Sequence, residues 1–205
     1  MTDENELVAL RAAVRARLSE KRYKHTLGVE TAAARLAQAF LPEKENDLRA
    51  AALLHDIAKE LPTEEQLRLI DEGRADVSPA ERNMTAILHA YAAPAVILRD
   101  FPTFATEEIL RAVACHTAGR EDMTVFDKII FIADYTEDGR TYPSCVSVRE
   151  KLARDIKNGE GLCALDMAVL SSVDETVLSL IGRSSLISEK TILTRNAVLT
   201  KLFLS

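Results

Sequence analysis

The chain has only four histidines, and one of them, His55, is followed directly by Asp56 at the end of an unusually apolar helical segment. Neighbouring residues on a helix point about 100° apart, so these two side chains can converge only on something in the groove beside the helix. A divalent cation fits there, because imidazole and carboxylate are both good ligands for Fe, Mn, Zn or Co. A hydrogen-bonded His–Asp pair at a helix end is the alternative, and two residues alone do not decide between them.

Three more histidines and one aspartate complete the pattern. His89 and His116 follow apolar residues in segments expected to be helical, so each must find a partner when buried. Asp134 is embedded in an apolar run, and a buried carboxylate is costly unless it is paired or bound to a metal. His25 alone would be a surface or satisfied interior histidine. The resulting order, H…HD…H…H…D on successive helices, is far more specific than any of its members: His25, His55, Asp56, His89, His116 and Asp134.

Basic residues close to these positions could bind phosphate. Arg22 and Lys59 each stand three residues from a candidate ligand, which is about one helical turn. Arg120 and Arg140 follow ligand-bearing segments in turns. The planar guanidinium of arginine can bind two phosphate oxygens at once. For each of these residues, a solvated surface cation is the alternative.

Helical periodicity recurs along the chain, and no convincing pair of strands is found, so the predicted fold class is all-α. The most apolar helix, 45–59, should be central and buried. The first helix should be capped at Thr2 or Asp3 and the fourth at Thr63, whereas 71–79 and 138–147 should be turns or irregular. The other helices are predicted at about 24–40, 85–101, 106–116, 124–137, 148–158, 162–181 and 188–203.

The composition suits one globular domain with a buried core, since 47% of residues are hydrophobic and 28% are charged. The net charge of −6 would repel a phosphate backbone, so no nucleic-acid partner is expected. Three cysteines without CxxC spacing fit a reducing compartment. The acidic N-terminal segment does not look like a signal peptide, and no apolar run approaches the ~18 residues that span a membrane. We therefore expect a cytoplasmic protein without a membrane partner.

Four blocks carry a family resemblance: RYKHTLGV at 22–29, ALLHDIAKEL at 52–61, CHTAGR at 115–120 and FDKIIFIADYTEDGR at 126–140. The chain resembles the HD-domain phosphohydrolases and, among them, the YqeK-type bacterial proteins, over nearly its whole length. The resemblance implies an all-α HD-domain helical bundle, with residues 1–205 as one phosphohydrolase domain and a C-terminal helical extension at about 186–205. It also implies symmetrical cleavage of diadenosine tetraphosphate into two ADP. One departure is Asp138, which stands where a proline is common.

The resemblance also implies roles for individual residues. His25, His55, Asp56 and Asp134 would hold a first ion, most simply iron, with Mn, Co, Ni or Zn as alternatives. Asp56 could bridge to a second ion held by His89 and His116. If only one ion binds, these two histidines would instead contact phosphate directly. We assign Asp56, His55 and Lys59 to catalysis. Substrate binding is assigned to Arg22, His25, Asp56, His89, His116, Asp134, Tyr135, Thr136, Glu137, Asp138, Gly139 and Arg140.

Two rival functions share this set of residues. One is an HD-type phosphatase acting on a mononucleotide, a deoxynucleoside triphosphate or an alarmone. The other is a non-enzymatic sensor that binds ADP or GDP. The expected partner in the main hypothesis is a small dinucleoside polyphosphate, and the amphipathic last helix either covers the domain or pairs two chains. We favour the homodimer.

Overall fold

Ten α-helices and three single 3-10 turns make up the regular structure of residues 2–204, the part of the chain that the computed structural model describes. No strand occurs in this part of the chain, so the all-α prediction is confirmed. The helices are α1 (Glu4–Arg15), α2 (Glu20–Phe40), α3 (Glu45–Leu54), α4 (Thr63–Glu72), α5 (Thr85–Asp100), α6 (Glu107–Cys115), α7 (Val125–Thr136), α8 (Pro143–Lys157), α9 (Leu162–Gly182) and α10 (Glu189–Phe203).

Helix α3 is the central element, as its apolar sequence predicts. Its residues from Ala50 to Leu54 are completely buried, and α1, α2, α6 and α7 pack around it. Small alanines let the neighbouring helices approach closely, while Leu48, Leu53 and Leu54 fill the space between them. The candidate ligands are attached to this core, so its packing determines where they lie.

Capping side chains explain several of the helix starts. Asp3 accepts a hydrogen bond from the Glu6 amide at the start of α1, and Thr124 caps α7 in the same way through the Asp127 amide. Both starts are reciprocal capping boxes, which satisfy backbone amides that have no partner inside the helix. Thr106 caps α6 through the amide of Ile109. The predicted starts of these three helices are therefore close to the observed ones.

Three predicted boundaries are wrong. Helix α3 ends at Leu54, not Lys59, and residues 55–60 form successive turns. Helix α2 begins at Glu20 because the hydroxyl of Ser19 accepts a hydrogen bond from the Arg22 amide. Helix α8 begins at Pro143, within a segment predicted to be irregular, because the fixed φ of proline suits the first helical position.

The expected cap at Thr63 is also wrong. Pro62 occupies the N-cap position of α4, and no side chain makes a capping hydrogen bond there. Thr63 is instead the first helical residue. The position of this helix start was predicted within one residue, but its chemical cause was not.

Helix α10 packs against the rest of the molecule through buried polar as well as apolar side chains. Thr191, Thr194 and Val198 are buried on its inner face, and the hydroxyl of Thr191 donates to the carbonyl of Ala118. Thr194 lies against Gly119, where an added Cβ would collide with its hydroxyl. Gly119 also has a φ of +73°, which favours glycine. Among the described residues, none of the helices has both the length and the apolar character needed to span a membrane.

Candidate metal centre

The four histidines and the two candidate aspartates lie together beside α3, although they come from five separate segments. The Nε2 atom of His25 lies 3.0 Å from Oδ1 of Asp134, and Nε2 of His55 lies 3.3 Å from Oδ2 of Asp56. On the other side of Asp56, Nε2 of His89 lies 3.1 Å from Oδ1. The side chain of His116 completes the cluster, with its Nε2 3.2 Å from that of His89.

Two of the histidines are held by the ends of their own helices. His55 and His116 each directly follow the last residue of a helix, α3 and α6 respectively. Their Nδ1 atoms lie 2.6 Å from the carbonyl of Ala52 and 2.7 Å from that of Val113, three residues earlier in each case. Carbonyls in the last turn of a helix lack an intrahelical partner, so the imidazole supplies one. Since a carbonyl only accepts, Nδ1 carries the proton and Nε2 keeps its lone pair for the cluster.

His25 is held by a carboxylate far away in sequence. Its Nδ1 lies 3.1 Å from Oε1 of the buried side chain of Glu137. Two glycines make room for this carboxylate, because a Cβ on Gly28 would lie 2.5 Å from Oε2 and one on Gly139 would lie 2.9 Å from it. A histidine that donates one ring N–H to a carboxylate has its tautomer and orientation fixed for metal binding through the other nitrogen.

The fourth histidine has a different neighbour. Nδ1 of His89 lies 3.2 Å from Nζ of Lys59, whose ammonium group also donates to the carbonyl of Ala86 at 3.1 Å. Lys59 thus lies beside the cluster, as its position three residues after Asp56 predicts.

The donor atoms of this cluster fit a divalent ion. The Nε2 atoms of His25 and His55 are buried and have no hydrogen-bond partner, which is unusual for buried polar atoms. Donor atoms of His25, His55 and Asp134 all lie within 4.8 Å of one another, and so do those of His55, Asp56 and His116. Mixed imidazole and carboxylate donors suit Fe, Mn, Co, Ni or Zn. An ion would give the two orphaned nitrogens a partner.

Burial and neighbouring charges set the ionisation states that a metal would need. Burial disfavours the charged form of Asp56, but the adjacent His55 and His89 outweigh this and hold the carboxyl pKa well below its usual range. The pKa of Asp134 is lowered in the same way: burial opposes ionisation, and His25 and Arg140 outweigh it. Burial lowers the pKa of His116 to about 3. Burial disfavours the charged form of His55, but the adjacent Asp56 outweighs this and raises the pKa of the imidazole. Metal ligands must be deprotonated carboxylates and neutral imidazoles, and the directions at Asp56, Asp134 and His116, though not at His55, favour these forms.

Three cations surround the cluster in a protein that is acidic overall. Nη1 of Arg22 lies 2.7 Å from Oδ2 of Asp56, and Nη2 of Arg140 lies 2.6 Å from Oδ1 of Asp134. Lys59 is the third. Arg120, by contrast, pairs with Asp122 and lines a separate cavity.

The segment from Tyr135 to Arg140, predicted to bind substrate, uses much of its hydrogen-bonding capacity internally. The Thr136 hydroxyl donates to the carbonyl of Ile132 at 2.6 Å, and the Gly139 amide donates to Glu137 at 2.5 Å. Tyr135 is partly buried. Asp138 is exposed and pairs with Arg35 at 3.2 Å.

One residue that orders this segment was missed. Arg149 on α8 donates from Nη1 to the carbonyls of Thr136, Glu137 and Arg140, at 3.1, 2.8 and 3.3 Å. No local sequence signal distinguishes it from other arginines. The contact arises only because α8 packs against α7.

Comparison with known proteins identifies the family. The profile of the HD domain family matches residues 22–139, which is more than half of the chain and includes every member of the cluster. The chain belongs to the HD domain family. His55 and Asp56 form its HD pair, and the resemblance inferred from the sequence blocks is confirmed.

Curated relatives of similar length show what this HD protein is similar to. A protein of Bacillus subtilis named "Bis(5'-nucleosyl)-tetraphosphatase, symmetrical" is 31% identical over 90% of this chain and 93% of its own length. A protein of Halalkalibacterium halodurans with the same name is 32% identical over 91% of this chain and 93% of its own length. The crystal structure of a "predicted HD superfamily hydrolase involved in NAD metabolism" from Clostridium acetobutylicum superimposes with a TM-score of 0.83 at 30% identity, covering 98% of this chain and 99% of the other.

Proposed function

We propose that this chain is a metal-dependent hydrolase that cleaves diadenosine tetraphosphate symmetrically into two molecules of ADP. The observation that carries the proposal is the buried cluster in which two histidine nitrogens make no hydrogen bond although carboxylate oxygens lie 3.0 and 3.3 Å away, with three cations nearby. The names of the relatives, which match this chain over nearly its full length, supply the substrate.

His25, His55, Asp56 and Asp134 would hold the ion. At such a site a divalent ion supplies positive charge to phosphoryl oxygens and lowers the pKa of a water molecule that attacks phosphorus. Asp56 is central because Oδ2 faces His55 while Oδ1 faces His89. One carboxylate thus connects the metal ligands to the side of the cluster where substrate phosphates would lie.

Arg22 and Arg140 would bind substrate phosphates. Without substrate, each pairs with a carboxylate of the cluster through one nitrogen, and each side chain stays about a third exposed. When a polyphosphate chain enters, the exposed nitrogens of both guanidinium groups can donate to its oxygens. Two fixed anchoring points define how far the nucleoside lies from the ion, and therefore which phosphoanhydride bond is placed for attack.

Product analysis tests the function. Metal-loaded protein is incubated with diadenosine tetraphosphate, and the products are separated by chromatography. ADP as the sole product is expected, whereas equal AMP and ATP would mean that attack is shifted by one phosphate. Inactivity here together with release of phosphate from mononucleotides would favour the phosphatase hypothesis.

Asp56→Ala tests the site itself. The variant should lose turnover and metal binding while its far-UV circular dichroism remains helical. Asp76→Ala is the matched control, because the Asp76 side chain is fully exposed. Full activity of the wild-type protein after chelation and dialysis would overturn the metal assignment.

Three finer features belong to the same proposal. We propose iron as the physiological ion, which elemental analysis of protein purified without added metal would test. We also propose a cytoplasmic location, to be tested by cell fractionation. A homodimer is supported by exposed apolar side chains on α9 and α10, including Leu178, Ile181 and Phe203, and sedimentation would test it.

A further inference from the structure

The turn that follows α7 carries two side chains that act on different parts of the site. Oε1 of Glu137 lies 3.1 Å from Nδ1 of His25, and the guanidinium group of Arg140 lies 2.6 Å from Oδ1 of Asp134. The first contact orients a candidate metal ligand, and the second holds a side chain that would bind substrate phosphate. Because Glu137 and Arg140 are three positions apart, the backbone conformation of this turn determines where both groups lie.

The turn is tight and is closed by its own hydrogen bonds. The chain leaves the helix at Glu137, whose ψ of 151° is extended, and the Arg140 amide donates back to the Glu137 carbonyl at 2.9 Å. The Gly139 amide donates to Oε2 of Glu137 at 2.5 Å. The carboxylate is therefore held from inside the turn, and a different turn conformation would release it from His25.

A single guanidinium group from α8 holds this turn from outside. Nη1 of Arg149 lies within 3.3 Å of the carbonyl oxygens of Thr136, Glu137 and Arg140. Three partially negative oxygens that converge on one point repel one another unless a cationic donor lies between them. The Thr136 carbonyl also belongs to the C-terminal end of α7, where backbone carbonyls lack helical partners and a cation is favourable.

We propose that Arg149 is a positioning residue that couples the metal site to the phosphate site, because it fixes in one turn both the carboxylate that orients His25 and the guanidinium group of Arg140. In the part of the chain that the structure describes, the polar partners of Arg149 all lie within residues 136–140, and none belongs to the cluster beside α3. It therefore acts on the site only through this turn. The link to Arg140 rests on the proposed function, whereas the link to His25 concerns the metal alone.

The surroundings of Arg149 make its role open to a chemical test. Its side chain is 25% exposed, and a cavity of about 140 Å³ adjoins it between α2 and α8, lined in part by Ala32, Leu36, Leu152 and Ile156. Removing the side chain would join its space to this cavity. A small planar cation from solution can then enter and take the place of the guanidinium group.

Metal affinity, measured by competition with a chelator, tests the link to His25. Arg149→Met should weaken Zn²⁺ binding by about 10-fold, the lower end of the effect of losing a residue that orients a ligand. Arg154→Met, on the exposed face of the same helix, is the matched control and should bind Zn²⁺ as the wild-type protein does. In a Glu137→Ala background, Arg149→Met should have little further effect, because no carboxylate remains to be positioned. Equal losses in both backgrounds would overturn the proposal.

Binding of ADP to the Zn²⁺-saturated protein tests the link to Arg140. Arg149→Met should weaken ADP binding by about 10-fold, the effect of losing one weak charge-assisted hydrogen bond, and should have little further effect in an Arg140→Ala background. Unchanged ADP affinity in Arg149→Met would overturn the coupling of the two sites. The Zn²⁺ measurement needs no nucleotide, so it decides about Arg149 even if diadenosine tetraphosphate proves not to be the substrate.

Chemical rescue distinguishes positioning from loss of packing. Guanidinium chloride at millimolar concentration should restore most of the Zn²⁺ affinity of Arg149→Ala, because the free cation can donate to the same three carbonyls. Tetramethylammonium chloride is the matched salt, since its cation has the same charge but no N–H group, and it should restore nothing. Arg149→Lys, which keeps the charge and the donors, should bind Zn²⁺ more tightly than Arg149→Met. Equal recovery with both salts, or recovery with neither, would overturn the proposal.

Discussion

The carboxylate of Glu137 determines which nitrogen of His25 can bind an ion. It accepts the Nδ1 proton at 3.1 Å and is enclosed by Gly28 and Gly139. Glu137→Gln keeps the shape but removes the charge, so the imidazole becomes a weaker ligand. We expect metal affinity to fall by about 10- to 100-fold, measured by competition with a chelator. The exposed Glu64→Gln is the control, and equal affinity in the two variants would show that Glu137 has no such role.

Replacing Arg22 should lower catalytic efficiency and not metal affinity, because its guanidinium would contact phosphate and not the ion. Arg22→Ala should bind the ion as the wild-type protein does but hydrolyse substrate about 10- to 150-fold less efficiently. The readouts are metal content and kcat/KM. Arg15→Ala is the control, since Arg15 is 65% exposed on α1. Kinetics unchanged from wild type would show that Arg22 does not contact the substrate phosphates.

The types of the cluster residues could be predicted from the sequence, but their hydrogen-bonding partners could not. A histidine or an aspartate in an apolar segment is visible as an anomaly, and the order of the six members indicated that they belong together. The contact between His25 and Glu137 joins residues 112 positions apart and depends on how α2 and α7 pack. The histidine tautomers depend on such contacts between distant residues, so they could be assigned only from the structure.

Among the helices, the buried ion pair between α7 and α9 should be the most sensitive tertiary contact. Nζ of Lys128 lies 2.5 Å from Oδ1 of Asp166, and both side chains are less than a tenth exposed. Asp166→Ala would leave a buried ammonium group without its carboxylate, which costs about 3–5 kcal/mol. Urea unfolding monitored by circular dichroism measures this. The double variant Lys128→Met/Asp166→Leu should recover much of the loss, and a single variant as stable as wild type would contradict the prediction.

Glu81 connects α10 to α5 and gives the fold an acid-sensitive contact. Its carboxylate accepts hydrogen bonds from Ser188 at 2.5 Å, Tyr91 at 2.9 Å and the Ser78 amide at 3.0 Å, and Lys190 lies 3.7 Å away. Burial opposes ionisation, but these contacts outweigh it and lower the carboxyl pKa below its ordinary value.

A lowered pKa in the folded state has a definite consequence for stability. The contribution of ionised Glu81 to the free energy of unfolding is complete above the pKa of a glutamate in the unfolded chain, about 4.3. This contribution is lost as the pH falls through the lower pKa that Glu81 has in the folded protein. Glu81→Gln should therefore be less stable than wild type at pH 7, and the difference should shrink below about pH 4. Urea titrations of both proteins from pH 7 to 3 test this. A constant difference would contradict it.

Most helix boundaries could be predicted because their causes are local. Thr106, Thr124 and Ser188 cap α6, α7 and α10, and the helices predicted to start at these residues begin one residue later. The end of α3 could not be predicted, because the residues after Leu54 have good helix propensity yet form turns. Those turns are stabilised from a distance, for example by Glu60, which accepts hydrogen bonds from the backbone amide and hydroxyl of Ser19.

On the scale of the whole molecule, the C-terminal helix packs against the segment that follows the candidate ligand His116. The sequence suggested an extension at about 186–205, whereas its inner face is buried and Thr194 lies against Gly119, three residues after His116. We predict that truncation after residue 185 lowers the melting temperature and weakens metal binding together. Thermal unfolding of the full chain should be a single transition. Metal affinity unaffected by truncation would mean that residues 186–205 are a separate appendage.

The two histidines that follow α3 and α6 have a consequence for protein engineering. His55 and His116 each obtain their orientation and tautomer from a carbonyl only three residues earlier, so four consecutive residues at a helix end contain everything that aims the ligand. Such a unit can be transplanted. Placing histidine directly after the last residue of two designed helices that converge should create a pair of pre-oriented nitrogens, without a carboxylate elsewhere in the scaffold to hold them.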